Sequence, residues 1–456
     1  MKSARLPFVP SRRIAKRAAS PPAESARTEL PIDSARALPF VLLYLALVYI
    51  RPHEYVEELM GVPIVVSALV IAFAVWLFQR NRDFSAPHHG LMVGLMISMS
   101  LSVAAAGWLG GAVKVVIEFV PIMVLFLITA TSRLGPIHFQ RIFWVIGLCC
   151  AVLALHGIDQ VGTGVGWSGA KVIEGRITYL GFLNDPNDLA LAFIVALPMT
   201  LYWGRSTSSR LLKLLAGIAA ALQIIGIYLT NSRGGLVALG CMVVAYAVRR
   251  FGAWRSLGVI PVFVLAFVLL APSRVAQMSS EEDSAAGRVE SWYEGIQMFL
   301  ANPVLGVGKG FYLDYHQLTA HNSLVLAFAE LGIVGYFFWF SMLVVTGVMA
   351  SAVFKLRLID EVGKVRVEAR TFHELAVVLS YSLAGYLLAS MFLSRSYVFL
   401  LFFLQALIIA LYQGARRRWP DEVPIVSARK MFAVLVALEM ASIVFMYLLT
   451  RVLLLG

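Results

Sequence analysis

Charge is scarce in this chain: Asp, Glu, Lys and Arg together make up 14% of its 456 residues, where soluble domains carry about a quarter. No stretch is polar enough over a domain's length to form a soluble globule, which excludes an ordinary cytosolic enzyme. Cysteine is scarcer. Cys149, Cys150 and Cys241 are the three present; all lie in apolar runs, two are adjacent and no C-x-x-C pair occurs, so a disulfide framework is not expected. No H-E-x-x-H or comparable His/Asp spacing occurs, and His316 beside His321 does not by itself make a metal site, so no metal or other cofactor is expected. The glycine-rich "NPVLGVGKG" imitates part of a phosphate loop with Gly306, Gly308 and Gly310. It lacks G-K-[ST] and a preceding strand, which argues against a nucleotide site. No internal repeat is evident.

What the chain has in abundance is apolar sequence, 60% of its residues, in runs of about 15 to 20 that match the ~30 Å hydrocarbon core. The expected fold is all-α, a polytopic transmembrane bundle of about 12 to 13 spans. Spans are expected near 37–50, 61–79, 91–107, 112–130, 142–156, 188–203, 211–229, 234–248, 256–271, 332–354, 375–393, 397–413 and 431–454. Residues 1–36 are basic and rich in Ser, Ala and Pro, without the apolar core of a cleavable signal, and read as a disordered cytoplasmic tail. The remaining divisions are a membrane bundle over 37–271 with a periplasmic loop at 157–187, a large periplasmic loop at 272–331, and membrane helices over 332–456.

The net charge of +12 is a topology signal rather than a nucleic-acid footprint. With the amino terminus inside, 28 of the 38 lysines and arginines fall on the cytoplasmic side, nine fall outside and Lys114 lies within a span, as positive-inside bias requires. The two long outer segments, about 156–187 and 271–321, are where ligand contacts are expected.

In the first, Asp185 before Pro186, with Asp188 following, carries the signature of a helix start; the functional reading of "NDPND" is a polar cluster contacting a sugar. In the second, Val289, Trp292, Tyr293, Ile296, Phe299 and Leu300 recur at helical spacing opposite Glu290, Glu294 and Gln297. That predicts an amphipathic helix lying on the outer bilayer surface or capping the bundle.

Arg176, Arg233 and Arg288 share the outer face with His321, against the charge bias. A snorkelling arginine explains any one of them. Several together suit a lipid phosphate or pyrophosphate, because guanidinium donors match phosphate oxygens in pairs. His321 suits a general base acting on a hydroxyl, or a structural histidine at a helix start. Asn322 or Ser323 suits a cap for the following helix. Lys114 and Glu118, four apart, read as an intrahelical ion pair. Along with Glu330 and Glu439 they are ionisable groups within apolar sequence, which makes them functional candidates.

Taken together, "TNSRGG", "GRVESWYEGIQMFLANPVLGVGKGF" and "AHNSLVLAFAELGIVG" resemble, in order and topology, the bacterial O-antigen ligase and O-antigen or exopolysaccharide polymerase superfamily. The likeness covers about residues 176–340 and extends elsewhere mainly in hydropathy. It implies an inner-membrane glycosyltransferase with a periplasmic active site, an undecaprenyl-pyrophosphate-linked glycan donor, and no nucleotide sugar or metal. The family's essential arginines and histidine match Arg233, Arg288 and His321, with Arg176 as a further arginine; the arginines would hold the pyrophosphate and His321 would activate the acceptor hydroxyl. Asn322, Asp185 and Asp188 join Arg176 as expected substrate contacts. No carboxylate is placed as a covalent nucleophile, so inversion at the anomeric carbon is expected. One departure is the span count, thirteen against the family's usual twelve: either one apolar run is not a span or the carboxyl terminus lies outside.

"NDPNDLALAF" is similar to exopolysaccharide polymerases of the group, which favours a growing surface polysaccharide as acceptor over lipid A core or a protein hydroxyl. Membrane lipids and polysaccharide export machinery are the expected neighbours. A secondary transporter is the competing class, but its charges belong near the midplane and in paired repeats; a non-catalytic scaffold for export is the third reading.

Overall fold

A computed structural model describes residues 35–256, 258, 278–360 and 362–455, with the backbone alone over 278–286. The expected tail up to residue 34, and nearly all of the span expected at 256–271, lie outside them. Twelve apolar helices account for the other twelve expected spans: α1 (Leu38–Ile50), α2 (Ile64–Leu77), α3 (His88–Ala105), α4 (Leu109–Thr131), α5 (Pro136–Thr163), α6 (Pro186–Ser206), α7 (Arg210–Leu229), α8 (Arg233–Phe251), α10 (Ser323–Phe354), α11 (Val367–Ser390), α12 (Phe399–Arg418) and α13 (Phe432–Leu455). Ten of them are long and apolar enough to cross a bilayer, and α1 and α2 are shorter. The amphipathic α9 (Met278–Ala301) precedes α10. The chain is a multi-pass helical membrane protein, and among the described residues β-pairing is confined to isolated bridges.

Cross-contacts show that the helices alternate in direction. At one end Trp76 donates to Thr131 (2.8 Å), Arg417 pairs with Asp83 (2.8 Å) and Arg366 with Glu422 (2.6 Å). At the other, Tyr179 donates to the Ile50 carbonyl (2.5 Å), Lys309 N–H to Ser102 (3.1 Å) and His321 N–H to Ser394 (2.8 Å). At the centre stands α12, buried at every position from Phe399 to Ala415 and packed on α4, α10 and α11; a helix apolar all round has to sit there. Its Gln405 and the buried His88 find partners inside the bundle, His88 Nε2 lying 2.9 Å from Thr346 Oγ1, because the bilayer core offers no water to polar groups.

The sequence places a span start at 332, whereas α10 begins nine residues earlier, at Ser323, and breaks at Gly332 (φ 60°, ψ −168°). The "NPVLGVGKG" turn fits into that break: Val307 and Gly308 N–H donate to the Ala329 and Glu330 carbonyls (3.0 Å each), and Ile333 N–H donates to Pro303 (2.8 Å). The backbone groups freed by the break thus find partners. Its glycines serve backbone docking. A Cβ on Gly332 would stand 2.4 Å from the Val304 carbonyl, in a conformation essentially closed to other residues. Gly332→Ala is therefore expected to cost about 3 kcal/mol or more, read as a lower melting temperature in detergent. Gly347→Ala, whose Cβ meets nothing within 4 Å, should be neutral.

The amphipathic helix buries a narrower face than its spacing predicts: Ser291, Ile296, Met298 and Phe299 are buried and Leu300 is exposed. It packs on α10 and α13, with Gly295 so close to Val325 and Tyr312 that a side chain would collide. Contact with α10 and α13 is what a helix capping the bundle requires. The small Ser291 and Gly295 set the buried face because they admit close approach.

Candidate active site

The four expected charged residues, His321 and the three arginines, lie at the end of the bundle where α5, α7, α11 and α13 terminate and α6, α8 and α10 begin. Each is positioned by local chain chemistry. Asp185 caps α6, its Oδ1 accepting from Asn187 N–H at 2.7 Å, with Pro186 at the first helical position. Arg176 reaches across from the preceding loop, donating from Nε to the Thr230 carbonyl (2.9 Å) and from Nη2 to Asn187 Oδ1 (2.7 Å). It thereby ties the start of α6 to the turn before α8, and part of its donor capacity serves the protein itself.

Arg233 is the first residue of α8, after a Ser232 cap that accepts from Gly235 N–H (3.1 Å). An arginine at a helix amino terminus gains nothing from the dipole, which is positive there. The combination has its use with an anion, which both the positive end of α8 and the guanidinium attract. Arg288, in α9, is half-buried; burial first, and then the charge of Arg233, push its pKa down, while Asp185 opposes the shift. Two guanidinium groups thus feel each other across the mouth of α8.

His321 occupies the left-handed region (φ 45°), a conformation uncommon outside glycine. It is held there by its neighbours: its N–H donates to Ser394 Oγ (2.8 Å), which also accepts from Thr319. Burial pushes the imidazole pKa below its ordinary value, and Arg288 and Arg395 push the same way against Asp185. The ring is accordingly neutral at neutral pH, as a base must be. Asn322 is buried and caps α10, its Oδ1 accepting from Leu324 and Val325 N–H at 2.9 and 3.2 Å. Of the two roles expected for Asn322, the capping role is the one the geometry displays.

Asp188 is 3% exposed and paired through both oxygens with Nε and Nη2 of Arg395. Arg395 is the residue that sequence reasoning missed. It sits in the 391–398 connection, which wraps the start of α10: Ser323 donates to Leu393 O (2.7 Å), Arg395 N–H to Ser323 Oγ (2.9 Å) and Ser396 to Ser323 O (2.7 Å). The signal available was the one that singled out the other arginines, a basic residue on the sparsely charged outer side. A cavity of about 140 Å³ beside the pair is lined by Phe182, Asn184, Asp188 and Arg395.

The other ionisable candidates stay apart from this cluster. Lys114 and Glu118 form the expected pair (3.8 Å), extended by Lys309 (3.7 Å). Glu330 is buried beneath the glycine-rich turn, and Glu439 is buried in α13 with its Oε1 unpartnered. His156, where the first outer loop was expected to begin, is buried within α5 and bonded to Ser168 (2.8 Å). Among the described residues no three His, Cys, Asp or Glu side chains converge as metal ligands. What the cluster offers is a seat for an anion with a neutral imidazole beside it.

A protein-family model described as O-antigen ligase matches residues 218–340, a segment that holds Arg233, Arg288 and His321 but not Arg176, Asp188 or Arg395. No curated protein matches the chain.

Proposed function

We propose, from the match of residues 218–340 to the O-antigen ligase family model, that this protein is a membrane glycosyltransferase that moves a glycan from an undecaprenyl-pyrophosphate donor to a sugar hydroxyl at the periplasmic face. The favoured reaction is polymerisation of a surface polysaccharide or exopolysaccharide, with ligation to lipid A core or to a protein hydroxyl as the alternative acceptors. The observation that carries this reading is that Arg288 stands within electrostatic reach of both Arg233 and His321, three residues far apart in sequence and all within the matched segment.

In the proposed step, neutral His321 takes the proton from the acceptor hydroxyl as its oxygen attacks the anomeric carbon. The bond to pyrophosphate breaks, and the leaving oxygen's growing negative charge falls to Arg233, Arg288 and the amino terminus of α8. Such donors accelerate the reaction because they meet more charge in the transition state than in the bound donor. Direct displacement inverts the anomeric configuration, and neither a metal nor a nucleotide has a part in it.

Reconstitution tests the proposal. Purified protein in vesicles, given a lipid-linked oligosaccharide repeat and chelator, should extend the glycan and release undecaprenyl pyrophosphate, with the new linkage inverted relative to the donor. Flux of a solute without transfer would put the transporter reading in its place, and a glycosyl-enzyme adduct would overturn the direct displacement.

A further inference from the structure

The opposite end of the bundle carries a second cluster of arginines that the proposed reaction does not use. Here α6 and α8 end and α11 begins, and between them opens a groove of about 600 Å³. Its wall is apolar, built from side chains such as Leu201, Met242 and Val377, and its mouth is basic. Arg205 lies over the Tyr246 ring (5.7 Å to its centroid) with Nη2 3.2 Å from the tyrosine hydroxyl. Arg249 donates to His373 Nε2 (2.8 Å), which makes that imidazole an acceptor and hence neutral. Arg370 pairs with Glu374 (2.9 Å). Three guanidinium groups therefore meet one carboxylate, an excess of about two positive charges at the rim of an apolar cleft.

Lysine and arginine bias assigns this end to the cytoplasmic leaflet. Elsewhere at this end several arginines are matched by acids, as in Arg417 with Asp83, Arg366 with Glu422 and Arg418 with Glu368, while Arg82 and Arg250 lie over aromatic rings outside the groove. In the groove, Arg205 and Arg249 have neutral partners, a phenol and an imidazole. Neutral partners orient a guanidinium without neutralising it, and leave its charge for a ligand. A cleft between membrane helices, with apolar walls and a basic cytoplasmic rim, is suited to a lipid whose head carries the complementary charge.

We propose that this groove is a binding site for an acidic phospholipid of the cytoplasmic leaflet. Its acyl chain lies along the α6, α8 and α11 wall and its phosphate is bridged by Arg205 and Arg249. A zwitterionic lipid brings its own cation to a rim already positive, so the site discriminates by head-group charge. This assignment is independent of the glycan chemistry at the other end.

The test is native mass spectrometry of the purified full-length protein, delipidated and offered phosphatidylglycerol and phosphatidylethanolamine in equal amounts. Wild type should retain phosphatidylglycerol preferentially. The Arg205→Gln/Arg249→Gln double variant should lose at least about tenfold of that preference, whereas Arg80→Gln, at an exposed arginine elsewhere on the same side, should keep it. Should the glutamine variant fail to fold, Arg205→Lys/Arg249→Lys serves instead: the charge is kept, so preference should survive, weakened by loss of bidentate geometry. Equal retention of the two lipids by wild type, an unchanged preference in the glutamine variant, or full loss in the lysine variant would overturn the proposal. Retention of no lipid would also overturn it and give the groove to a protein segment.

Discussion

His321→Ala should lower glycan transfer by about 10²- to 10⁴-fold, the usual contribution of a positioned base, while the protein still folds and inserts. The fold should survive because the backbone of residue 321, rather than its ring, makes the hydrogen bond to Ser394. The pH dependence adds a sharper signature. Burial and the neighbouring guanidinium groups hold the imidazole below its ordinary pKa. The base form therefore persists through neutrality, and the rate falls only as pH drops through that lowered value. Arg288→Gln takes away the strongest of the charges that depress it, so the acid limb should move to higher pH while the overall rate falls. Loss of that arginine, as a proposed pyrophosphate ligand, should itself cost about a hundredfold. A gene deletion complemented with wild type or His321→Ala, with secreted polysaccharide and lipopolysaccharide compared on gels, gives the cellular readout. Missing long secreted polymer with intact lipopolysaccharide means a polymerase; lipid A core without its glycan means a ligase. Full complementation by His321→Ala would sink the catalytic assignment.

Asp188→Asn should destabilise the protein measurably without touching the charged mouth. It leaves Arg395 facing a group that no longer balances it; breaking such a pair costs about 3–5 kcal/mol when both partners are fully buried. Because the arginine is about a third exposed, about 2–3 kcal/mol is the better expectation here. The measurement is thermal unfolding in detergent. Arg395→Lys should not rescue the pairing, since an ammonium cannot reproduce the two-pronged contact, and Asp188→Asn combined with Arg395→Gln should recover part of the loss. If the pair also positions His321 through the 391–398 connection, Arg395→Gln should lower kcat with little change in donor KM. An Asp188→Asn protein that melts with wild type would remove the ion pair from the support of this site.

The outer end of the molecule is legible from sequence only in part. "NDPND" announces the α6 cap because an aspartate before proline has a local, backbone-level effect. Likewise the outer arginines are visible as violations of a charge rule. The burial of Asp188 is not visible, because its partner is 207 residues away and nothing in "LSRSYVF" says which carboxylate it meets. The buried face of α9 is displaced from the hydrophobic stripe because Ser291 and Gly295 are chosen for closeness rather than for hydrophobicity. The glycines of "NPVLGVGKG" mark a backbone that must be approached closely, yet only the break at Gly332 reveals what approaches it.

The sequence by itself determined that the chain is a polytopic helical membrane protein, which way the charge bias orients it, and which unusual outer-face residues to suspect. Those properties follow from composition, apolar run length and charge distribution, all of which act locally or add residue by residue. Only the tertiary structure decided that Arg395 joins Arg176, Arg233, Arg288 and His321 at that end, paired with Asp188, that Asn322 caps α10 from a buried position, and that α10 begins at Ser323 rather than Gly332. Those outcomes rest on long-range partners such as Asp188 with Arg395 and Gly306 with Gly332, and long-range pairing is the information that local periodicity does not carry.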